Sequence, residues 1–356
     1  MEYPRKLTGL KIFLIFAAII GGFFFVVGTQ RKSDVSNLAS VSAISSDMGK
    51  IPSFVATTSE PVVIEKNVAK VEKIPAATSS VATSSISEKK SQKILFVGDM
   101  MFDRHIRKIS SEKGQDFIFS CVDALFKSAD LVVGNLEGSI TDKGSVSLGS
   151  VVGSPNNYMF TFPTSTAETL LEHNIQIVDL GNNHIGNFGK KAISETWSYL
   201  NKAGVHYFGG IVGNEPIYQT DNTISFVSYN EFGGQSSDKV AAIIAAEKAK
   251  GRMVIVYAHW GDEYNEDVLR LRVVAEKFVK NGADIVIGSH PHIVLSHEHI
   301  GDVPVYYSLG NFFFDQYFES RVKKGLAVMF EISEDKIDIT EYPVMINTDG
   351  TTCLTE

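Results

Sequence analysis

Five short apolar runs, each followed directly by Gly, Asn, Asp, Glu or His, are the feature that most constrains the fold of this chain. The runs predict buried β-strands because they are continuous, short and rich in Val, Ile and Leu. In open α/β sheets, ligands bind outside the carboxyl ends of the strands. The pattern therefore predicts one site assembled from distant segments. The five segments are 94–99, 131–137, 177–184, 254–259 and 285–292.

Strand-like runs and helical patterns alternate between residues 93 and 346. This alternation is typical of an α/β domain with a largely parallel sheet. Helices are predicted at 117–128, 165–173, 189–203, 239–250 and 267–281. Three later runs, at 303–308, 325–332 and 336–344, predict consecutive antiparallel strands. We therefore expect a globular domain over 93–346, followed by a tail at 347–356.

Charge and cysteine content narrow the range of functions. The formal net charge is −8, which argues against nonspecific binding of nucleic acid, since that requires a basic surface. An anionic substrate would have to meet a metal ion or a few local Lys and Arg side chains. The chain has two cysteines, Cys121 and Cys353. They do not indicate a disulfide framework, and a bridge between them is not expected.

The N-terminal region predicts a membrane anchor. Residues 12–27 carry no charge, and basic residues flank them on both sides. As a helix, residues 10–29 would reach roughly 30 Å, enough to cross a bilayer. A cleaved signal peptide is the alternative. Basic residues near the amino terminus favour a cytoplasmic tail, so residues 1–32 are interpreted as a tail and signal anchor in a single-pass cell-membrane protein with an extracytoplasmic domain.

Residues 33–92 predict a linker between the anchor and the domain. They are rich in Ser, Thr, Ala and Pro and poor in aromatic residues. Such a segment cannot bury enough apolar surface to offset the entropy of ordering, so we expect it to be disordered. As a random coil it would span roughly 40–45 Å. The linker would hold the domain away from the bilayer.

The polar residues after the apolar runs form a candidate metal-ligand set. His290 and His292 flank Pro291 in a segment expected to be extended, where a period of two places both rings on one side. A mixed set of oxygen and nitrogen donors suits Mn, Fe, Zn or Mg ions. Taken singly, each cluster has a structural alternative: a hydrogen-bonded histidine, an Asn-Asn turn or a helix cap. The candidate ligands are Asp99, Glu137, Asn183, His259, His290 and His292.

These clusters also resemble a known family. Between residue 94 and about residue 332 the chain is similar to the CapA family of capsule or poly-γ-glutamate synthesis proteins, which are similar in turn to calcineurin-like metallophosphoesterases. The residues that carry the resemblance are Gly98-Asp99 with Arg104, Asn135-Leu-Glu-Gly138, Asn182-Asn-His184, His259-Trp-Gly261 with Glu263-Tyr264, Gly288-Ser-His-Pro-His292, and Ser308-Leu-Gly-Asn-Phe312 with Asp315.

The resemblance implies a four-layer α/β/β/α sandwich of the metallophosphoesterase type with metal ions at its strand ends. It implies the six ligands named above, with Glu137 between the metals if there are two. His184 would act as an acid on the leaving oxygen, and Arg104 or Asn311 would hold an anionic group. Two positions depart from the expected pattern, because Asn135 and Asn187 stand where Asp is usual.

The function that this resemblance implies is a membrane-anchored hydrolase of envelope polymer synthesis with one or two divalent metal ions. The alternative is a non-catalytic assembly or export subunit of a polyglutamate synthesis complex. A third hypothesis is an amide hydrolase that trims the polymer. The expected partners are the membrane, polyglutamate synthase subunits and an anionic polymer or phosphoester substrate, but no nucleic acid.

Overall fold

Strands dominate the computed structural model, which describes residues 91–211, 217–220, 223–334 and 336–355. The strands are β1 (Gln92–Met100), β2 (Leu131–Leu136), β3 (Ser139–Ile140), β4 (Thr161–Phe162), β5 (Ile175–Asp179), β6 (His206–Phe208), β7 (Ile217–Thr220), β8 (Ile224–Asn230), β9 (Met253–His259), β10 (Ile285–Ser289), β11 (His297–Ile300), β12 (Val303–Tyr306), β13 (Asn311–Phe313), β14 (Lys324–Ile332), β15 (Ile337–Ile346) and β16 (Thr352–Leu354).

The helices fall between the strands, as the alternating pattern predicts. The α-helices are α1 (Arg104–Lys113), α2 (Asp123–Lys127), α3 (Thr166–Glu172), α4 (Gly189–Ala203), α5 (Ser237–Lys248) and α6 (Leu269–Lys280). Three short 3₁₀ helices add η1 (Gln115–Phe119), η2 (Pro155–Tyr158) and η3 (Glu231–Gly233) in the described residues. Asp103 caps the start of α1 by accepting from the backbone N–H of Arg104, and Gly204 ends α4 in a left-handed conformation that suits glycine.

Two large sheets organise the described residues. In the first sheet the strand order is β16-β15-β14-β1-β2-β5-β6, and β13 pairs with β1. In the second sheet the order is β11-β12-β10-β9-β8-β7. The neighbours β1, β2 and β5 are parallel to one another, and so are β8, β9 and β10. The carboxyl ends of each parallel set therefore lie at one edge of its sheet.

The apolar side chains form three clusters that define four layers. One cluster lies between the two sheets and includes Phe96, Phe226 and Tyr257. A second joins the outer face of the first sheet to α1, α2, α3 and α4, and a third joins the outer face of the second sheet to α5 and α6. Because successive side chains of a strand point to opposite faces, Phe96 enters the central cluster while Leu95 enters the outer one. The layers therefore follow the order helix, sheet, sheet, helix.

Two predictions of secondary structure need correction. The helix predicted at 117–128 is interrupted, since η1 ends at Phe119 and α2 begins at Asp123. The three runs after residue 303 are not one antiparallel set. β12 lies in the second sheet, parallel to β10, whereas β14 and β15 are antiparallel neighbours in the first. Pairing partners distant in sequence decide which sheet a short run joins, so local pattern alone misplaced β12.

The end of the chain also differs from the prediction. Residues 347–356 were expected to form a tail, but β16 pairs with β15 within this segment. Cys353 in β16 forms a disulfide with Cys121, 232 residues away in sequence. The expectation that the two cysteines would not be bridged is therefore wrong. The bridge ties the last strand to the turn between η1 and α2.

The predicted anchor at 12–27 and almost all of the predicted linker at 33–92 lie outside the described residues. Among the helices of the described ranges, none is long and apolar enough to cross a bilayer.

Candidate metal centre

The carboxyl ends of the two parallel sets meet at one place. Asp99 lies near the end of β1, and Glu137 follows β2 directly. His259 is the last residue of β9. The sheets are joined here by the hydroxyl of Tyr257, which donates to the backbone oxygen of Val97 at 2.6 Å. The prediction that distant strand ends would assemble one cluster agrees with this geometry.

Glu137 lies at the centre of the cluster and is fully buried. Neither of its carboxylate oxygens has a hydrogen-bond partner among the described residues. The same carboxylate belongs to two groups of donor atoms, one with Asp99 and His292 and one with His259 and His290. Within each group, the donor atoms all lie within 4.8 Å of one another. A buried carboxylate without a donor is costly unless a positive charge meets it. These residues therefore fit divalent cations, with Glu137 shared between two sites.

The second donor group contains a close set of lone-pair atoms. His259 Nε2 lies 2.9 Å from Asn183 Oδ1 and 3.2 Å from His290 Nδ1. Ser289 Oγ lies 3.0 Å from His259 Nδ1, on the other side of the ring. Imidazole nitrogens and an amide oxygen at this spacing form a mixed donor set of the kind that binds Mn, Fe or Zn.

The His-Pro-His segment reaches this arrangement by a route that the sequence did not predict. Strand β10 ends at Ser289, and His290 and His292 adopt positive φ angles of 95° and 57°. The segment is therefore not extended, and alternation along a strand does not explain the orientation of the rings. The rings still converge, with centroids 5.9 Å apart. Such backbone conformations are unfavourable for residues other than glycine and cluster at functional sites.

Burial lowers the pKa values of two of the candidate histidine ligands, which suits metal binding. Burial lowers the pKa of His259 well below its usual value, and neighbouring histidines add to the effect. Burial likewise lowers the pKa of His290 to about 3. Both rings are therefore neutral at pH 7, which is the form that binds metals. Burial also raises the pKa of Glu137, although the charge of His292 opposes this.

His292 differs because it faces carboxylates. Burial disfavours its charged form, but the charge of Glu137 and a hydrogen bond and charge from Asp99 outweigh burial and raise its pKa to about 9. His292 Nε2 lies 3.7 Å from Glu137 Oε1, and Nδ1 lies 3.3 Å from Asp99 Oδ2. Two buried carboxylates thus stabilise a positive charge at this position. The protonated ring supplies that charge, and a bound cation would replace the ring proton.

Asn135 does not take the place of a metal-binding carboxylate. Its Nδ2 donates to Asp99 Oδ1 at 2.8 Å, and its Oδ1 accepts from Asn182 Nδ2 at 3.0 Å. Asn182 Oδ1 in turn accepts from the backbone N–H of His184 at 3.1 Å. The amide is therefore used to orient Asp99, which leaves Glu137 as the shared carboxylate.

His184 lies beside the cluster without belonging to either donor group. Its Nδ1 is 3.1 Å from the backbone oxygen of Tyr158 and 3.1 Å from Asn187 Oδ1. Both partners are acceptors, so Nδ1 carries a proton, and Nε2 faces Glu137 Oε1 at 3.7 Å. Burial lowers the pKa of His184 to about 4. The neutral ring would first have to take up a proton at Nε2 before donating it, and the role of acid stays a prediction.

Arg104 and Asn311, the residues predicted to hold an anionic group, already have partners. Arg104 pairs with Asp315, and its guanidinium lies 4.9 Å above the ring of Phe160. Asn311 Oδ1 is 2.8 Å from His292 Nδ1. Arg104 is therefore neutralised by a carboxylate, and Asn311 contacts a candidate ligand rather than a cleft. These contacts between side chains far apart in sequence gave no local signal.

Sequence reasoning missed Asn230 at the end of β8. Its Nδ2 donates to the backbone oxygens of Asn182 at 3.1 Å and Gly210 at 2.9 Å. The same signal of an apolar run closed by a polar residue marks it. The remaining histidines, expected to be structural or at the surface, belong to neither donor group; these are His105, His173, His206, His297 and His299.

The chain is similar to known proteins of bacterial capsule synthesis. A model of the family described as "Bacterial capsule synthesis protein PGA_cap" matches residues 93–316. The "Capsule biosynthesis protein CapA" of Bacillus anthracis is 28% identical over 285 residues, 72% of this chain and 68% of that protein. The "PGA biosynthesis protein CapA" of Bacillus subtilis (strain 168) is 27% identical over 263 residues, 67% of each. A solved structure titled "GAP50 the anchor in the inner membrane complex of Plasmodium" covers 72% of this chain and 84% of its own, with 11% identity and a TM-score of 0.33.

Proposed function

Because this chain belongs to the bacterial capsule synthesis protein family PGA_cap, we propose that it is a membrane-anchored, metal-dependent hydrolase that works in the synthesis of a poly-γ-glutamate capsule. We assign its layered domain to the metallophosphoesterase type of α/β/β/α sandwich. The reaction class is hydrolysis of a phosphoester, and the substrate or its product is an anionic polymer or a precursor of one.

One observation carries the proposal. Glu137 is fully buried, has no hydrogen-bond donor among the described residues, and is common to both groups of donor atoms. A structural core residue would have a donor, because an unpaired buried carboxylate is strongly destabilising. A carboxylate between two cations has its charge balanced on both sides.

The roles of the side chains follow from their contacts. Divalent ions, when bound, would activate water and stabilise charge on the reacting oxygens. One group of ligands would be Asp99, Glu137 and His292, and the other Glu137, Asn183, His259 and His290. His184 would exchange a proton with the leaving oxygen through Nε2, the nitrogen that faces the centre. Arg104 would hold an anionic group of the substrate after Asp315 releases it.

The proposed location is the outer side of the cell membrane. The uncharged run at 12–27 supports an anchor. The bridge between Cys121 and Cys353 supports an extracytoplasmic domain, because disulfides persist in oxidising compartments and are rare in the cytosol.

Metal analysis of the full-length protein tests the proposal. We expect one or two equivalents of Mn, Fe, Zn or Mg after supply of each ion, together with turnover of bis(p-nitrophenyl) phosphate. Chelation should lower the Tm, because Asp99 and Glu137 would lose their counter-charge. The Glu137→Gln variant should bind little metal, and its Tm should not respond to chelator.

A matched control is Glu276→Gln, which changes an exposed glutamate that pairs with Arg272 on the surface. Its metal content and turnover should equal those of the wild type. Absence of metal under every supply, or full metal content in Glu137→Gln, would overturn the proposal.

A second function, that of a non-catalytic assembly or export subunit, is favoured by one observation. The cation expected to recognise an anionic substrate, Arg104, is paired with Asp315. A protein that binds metal in the predicted ligands but hydrolyses neither phosphodiesters nor the polymer amide would have this role. Hydrolysis of the polymer amide with no phosphodiester turnover would instead identify an amide hydrolase.

A further inference from the structure

Three neighbouring cavities lie between the surroundings of Tyr264, near the candidate metal centre, and the helices on the outer face of the first sheet. The inner cavity, of about 160 Å³, is lined by Arg104, Asp315 and Tyr264, among others. The ring of Tyr264 lies 6.2 Å from that of His292, so one wall residue of this cavity packs beside a proposed metal ligand. The middle cavity, of about 270 Å³, shares Arg104 and Asp315 with the inner one. The outer cavity, of about 390 Å³, shares Lys108 with the middle one. Each cavity shares lining residues with the next, and the three together are called the groove below.

The surface of the outer cavity is mostly apolar. It lies between α1, η1 and α3, and its walls include Phe102, Ile118 and Phe119. Three of the polar side chains in its lining already have protein partners. Gln115 bonds to Thr169 and to Ser165, and Arg107 pairs with Asp103. Its volume falls in the range of about 300–1,000 Å³ that is usual for ligand pockets. Such a cavity fits a hydrocarbon chain better than a sugar or a peptide, which would require free polar partners.

The junction between the outer and middle cavities carries positive charge. Lys108 lines both, and its nearest carboxylate is that of Glu112 at 4.0 Å, a weak exposed pair. Asp315 lines the middle cavity, but its oxygens accept from the guanidinium of Arg104 and from the backbone N–H of His105. The carboxylate of Asp315 is therefore neutralised, and the ammonium group of Lys108 lies beside the outer cavity.

The loop that lines the groove on one side is itself uncharged. Residues 144–157 contain no Asp, Glu, Lys, Arg or His. Val152 lines the inner cavity, and Val151 and Val152 are 77% and 88% exposed. Leu148 of the same loop is 44% exposed and lines both the outer and the middle cavity. An exposed aliphatic side chain beside an apolar cavity suits contact with a hydrocarbon ligand.

We propose that this groove binds an amphiphile, with its hydrocarbon chain in the outer cavity and an anionic phosphate or carboxylate beside Lys108. The polar remainder of the molecule would extend through the middle and inner cavities to the metal centre. The inference rests on the proposed function, which places the reaction at the metal centre. It adds that the substrate is attached to a lipid and is not free in solution.

Photocrosslinking of the full-length protein in phosphatidylcholine nanodiscs tests this assignment. The probe is a C16 fatty acid that carries a diazirine on its chain, and labelled peptides are located by mass spectrometry. We expect labels in the peptides of α1, η1 and α3. Ser111 is exposed and lines the outer cavity, so Ser111→Trp should fill the cavity and lower labelling there at least tenfold.

The matched control is Ser194→Trp on α4, an exposed helical serine whose hydroxyl donates to a backbone oxygen one turn back, as that of Ser111 also does. Labelling in this variant should equal that of the wild type. Absence of label from the three helices, or equal label in Ser111→Trp and wild type, would overturn the proposal.

The charge assignment needs a separate comparison. Lys108→Glu should lower labelling by the fatty acid while labelling by the corresponding fatty alcohol stays unchanged. Equal effects on both probes would overturn the anionic subsite. Inorganic phosphate and a phosphate ester of a long-chain alcohol are compared as competitors of labelling. If inorganic phosphate prevents labelling at the same concentration as the ester, the site binds free anions, and the lipid assignment is wrong.

Metal content is measured in the same samples. Lost labelling with intact metal refutes only the amphiphile site, whereas labelling without metal refutes only the proposed hydrolase.

Discussion

Asn311 Oδ1 lies 2.8 Å from His292 Nδ1 and selects the tautomer of that ring. The amide is held in place because Asn311 Nδ2 donates to the backbone oxygen of Val322 at 3.0 Å and to that of His292 at 3.3 Å. Because the amide oxygen of Asn311 faces the ring and can only accept, Nδ1 of His292 must carry a proton. When a cation displaces the second proton of the ring, the lone pair of His292 is therefore on Nε2, which faces Glu137. Asn311 is therefore a positioning residue for a candidate metal ligand.

The Asn311→Ala variant should weaken metal binding by about 10–100-fold, the usual effect of removing a residue that orients a ligand. Titration with the metal, followed by calorimetry, measures the Kd directly. Asn311→Asp keeps the acceptor and should recover much of the affinity. Asn201→Ala, which removes an exposed asparagine of α4 that bonds to Tyr207, is the control. An unchanged Kd in Asn311→Ala would contradict the assignment.

The His184→Ala variant should keep its metal but lose turnover by roughly 10²–10⁴-fold, the scale of general acid–base catalysis. The reason is that His184 lies outside both donor groups while its Nε2 faces Glu137. His292→Ala, measured in parallel, should lose metal. If both variants lose metal equally, His184 is a ligand and the proposed role is wrong.

Replacing both cysteines, as Cys121→Ser with Cys353→Ser, should lower the free energy of unfolding by about 2–5 kcal/mol. The bridge closes a segment of 232 residues and holds β16 against the sheet. Urea unfolding with and without reductant measures the effect. Reductant should destabilise the wild type and leave the double variant unchanged. Free thiols in the non-reduced wild type would show that the bridge does not form.

Glu247 should make the domain sensitive to acid. Burial disfavours its charge, but hydrogen bonds from Lys250, Ser225 and Arg252 outweigh burial and lower its pKa to about 2. Because the folded pKa lies below the unfolded value, the stabilisation is complete above about pH 4.5 and is lost as the pH falls towards 2. Its upper limit is about 3 kcal/mol, at about 1.4 kcal/mol per pKa unit.

Urea unfolding between pH 6 and pH 3 checks this prediction. Glu247→Gln should be less stable than the wild type at pH 6, and the difference should shrink as the pH falls. Glu276→Gln, at an exposed ion pair, should follow the wild-type curve. Parallel curves for the wild type and Glu247→Gln would refute the assignment.

The sequence by itself determined the strand ends that meet at the site. A buried parallel strand needs a continuous apolar run, and the first polar residues after it mark the edge where ligands bind. Asp99, Glu137 and His259 follow from this rule because the signal extends over only a few neighbouring residues. The predicted bounds of α4, 189–203, equal the observed ones, because a helical apolar pattern is also a local signal.

Only the tertiary structure decided which side chains face one another across the sheets. The positive φ angles of His290 and His292, the pairing of Arg104 with Asp315 and the bridge from Cys121 to Cys353 each join or shape segments through distant contacts. A local pattern carries no signal for such contacts, because their energy depends on burial and packing that exist only after the chain has folded. For the same reason, an Asn at position 135 could be read as a missing ligand from the sequence, whereas its hydrogen bonds to Asp99 and Asn182 make it a support for the ligands that remain.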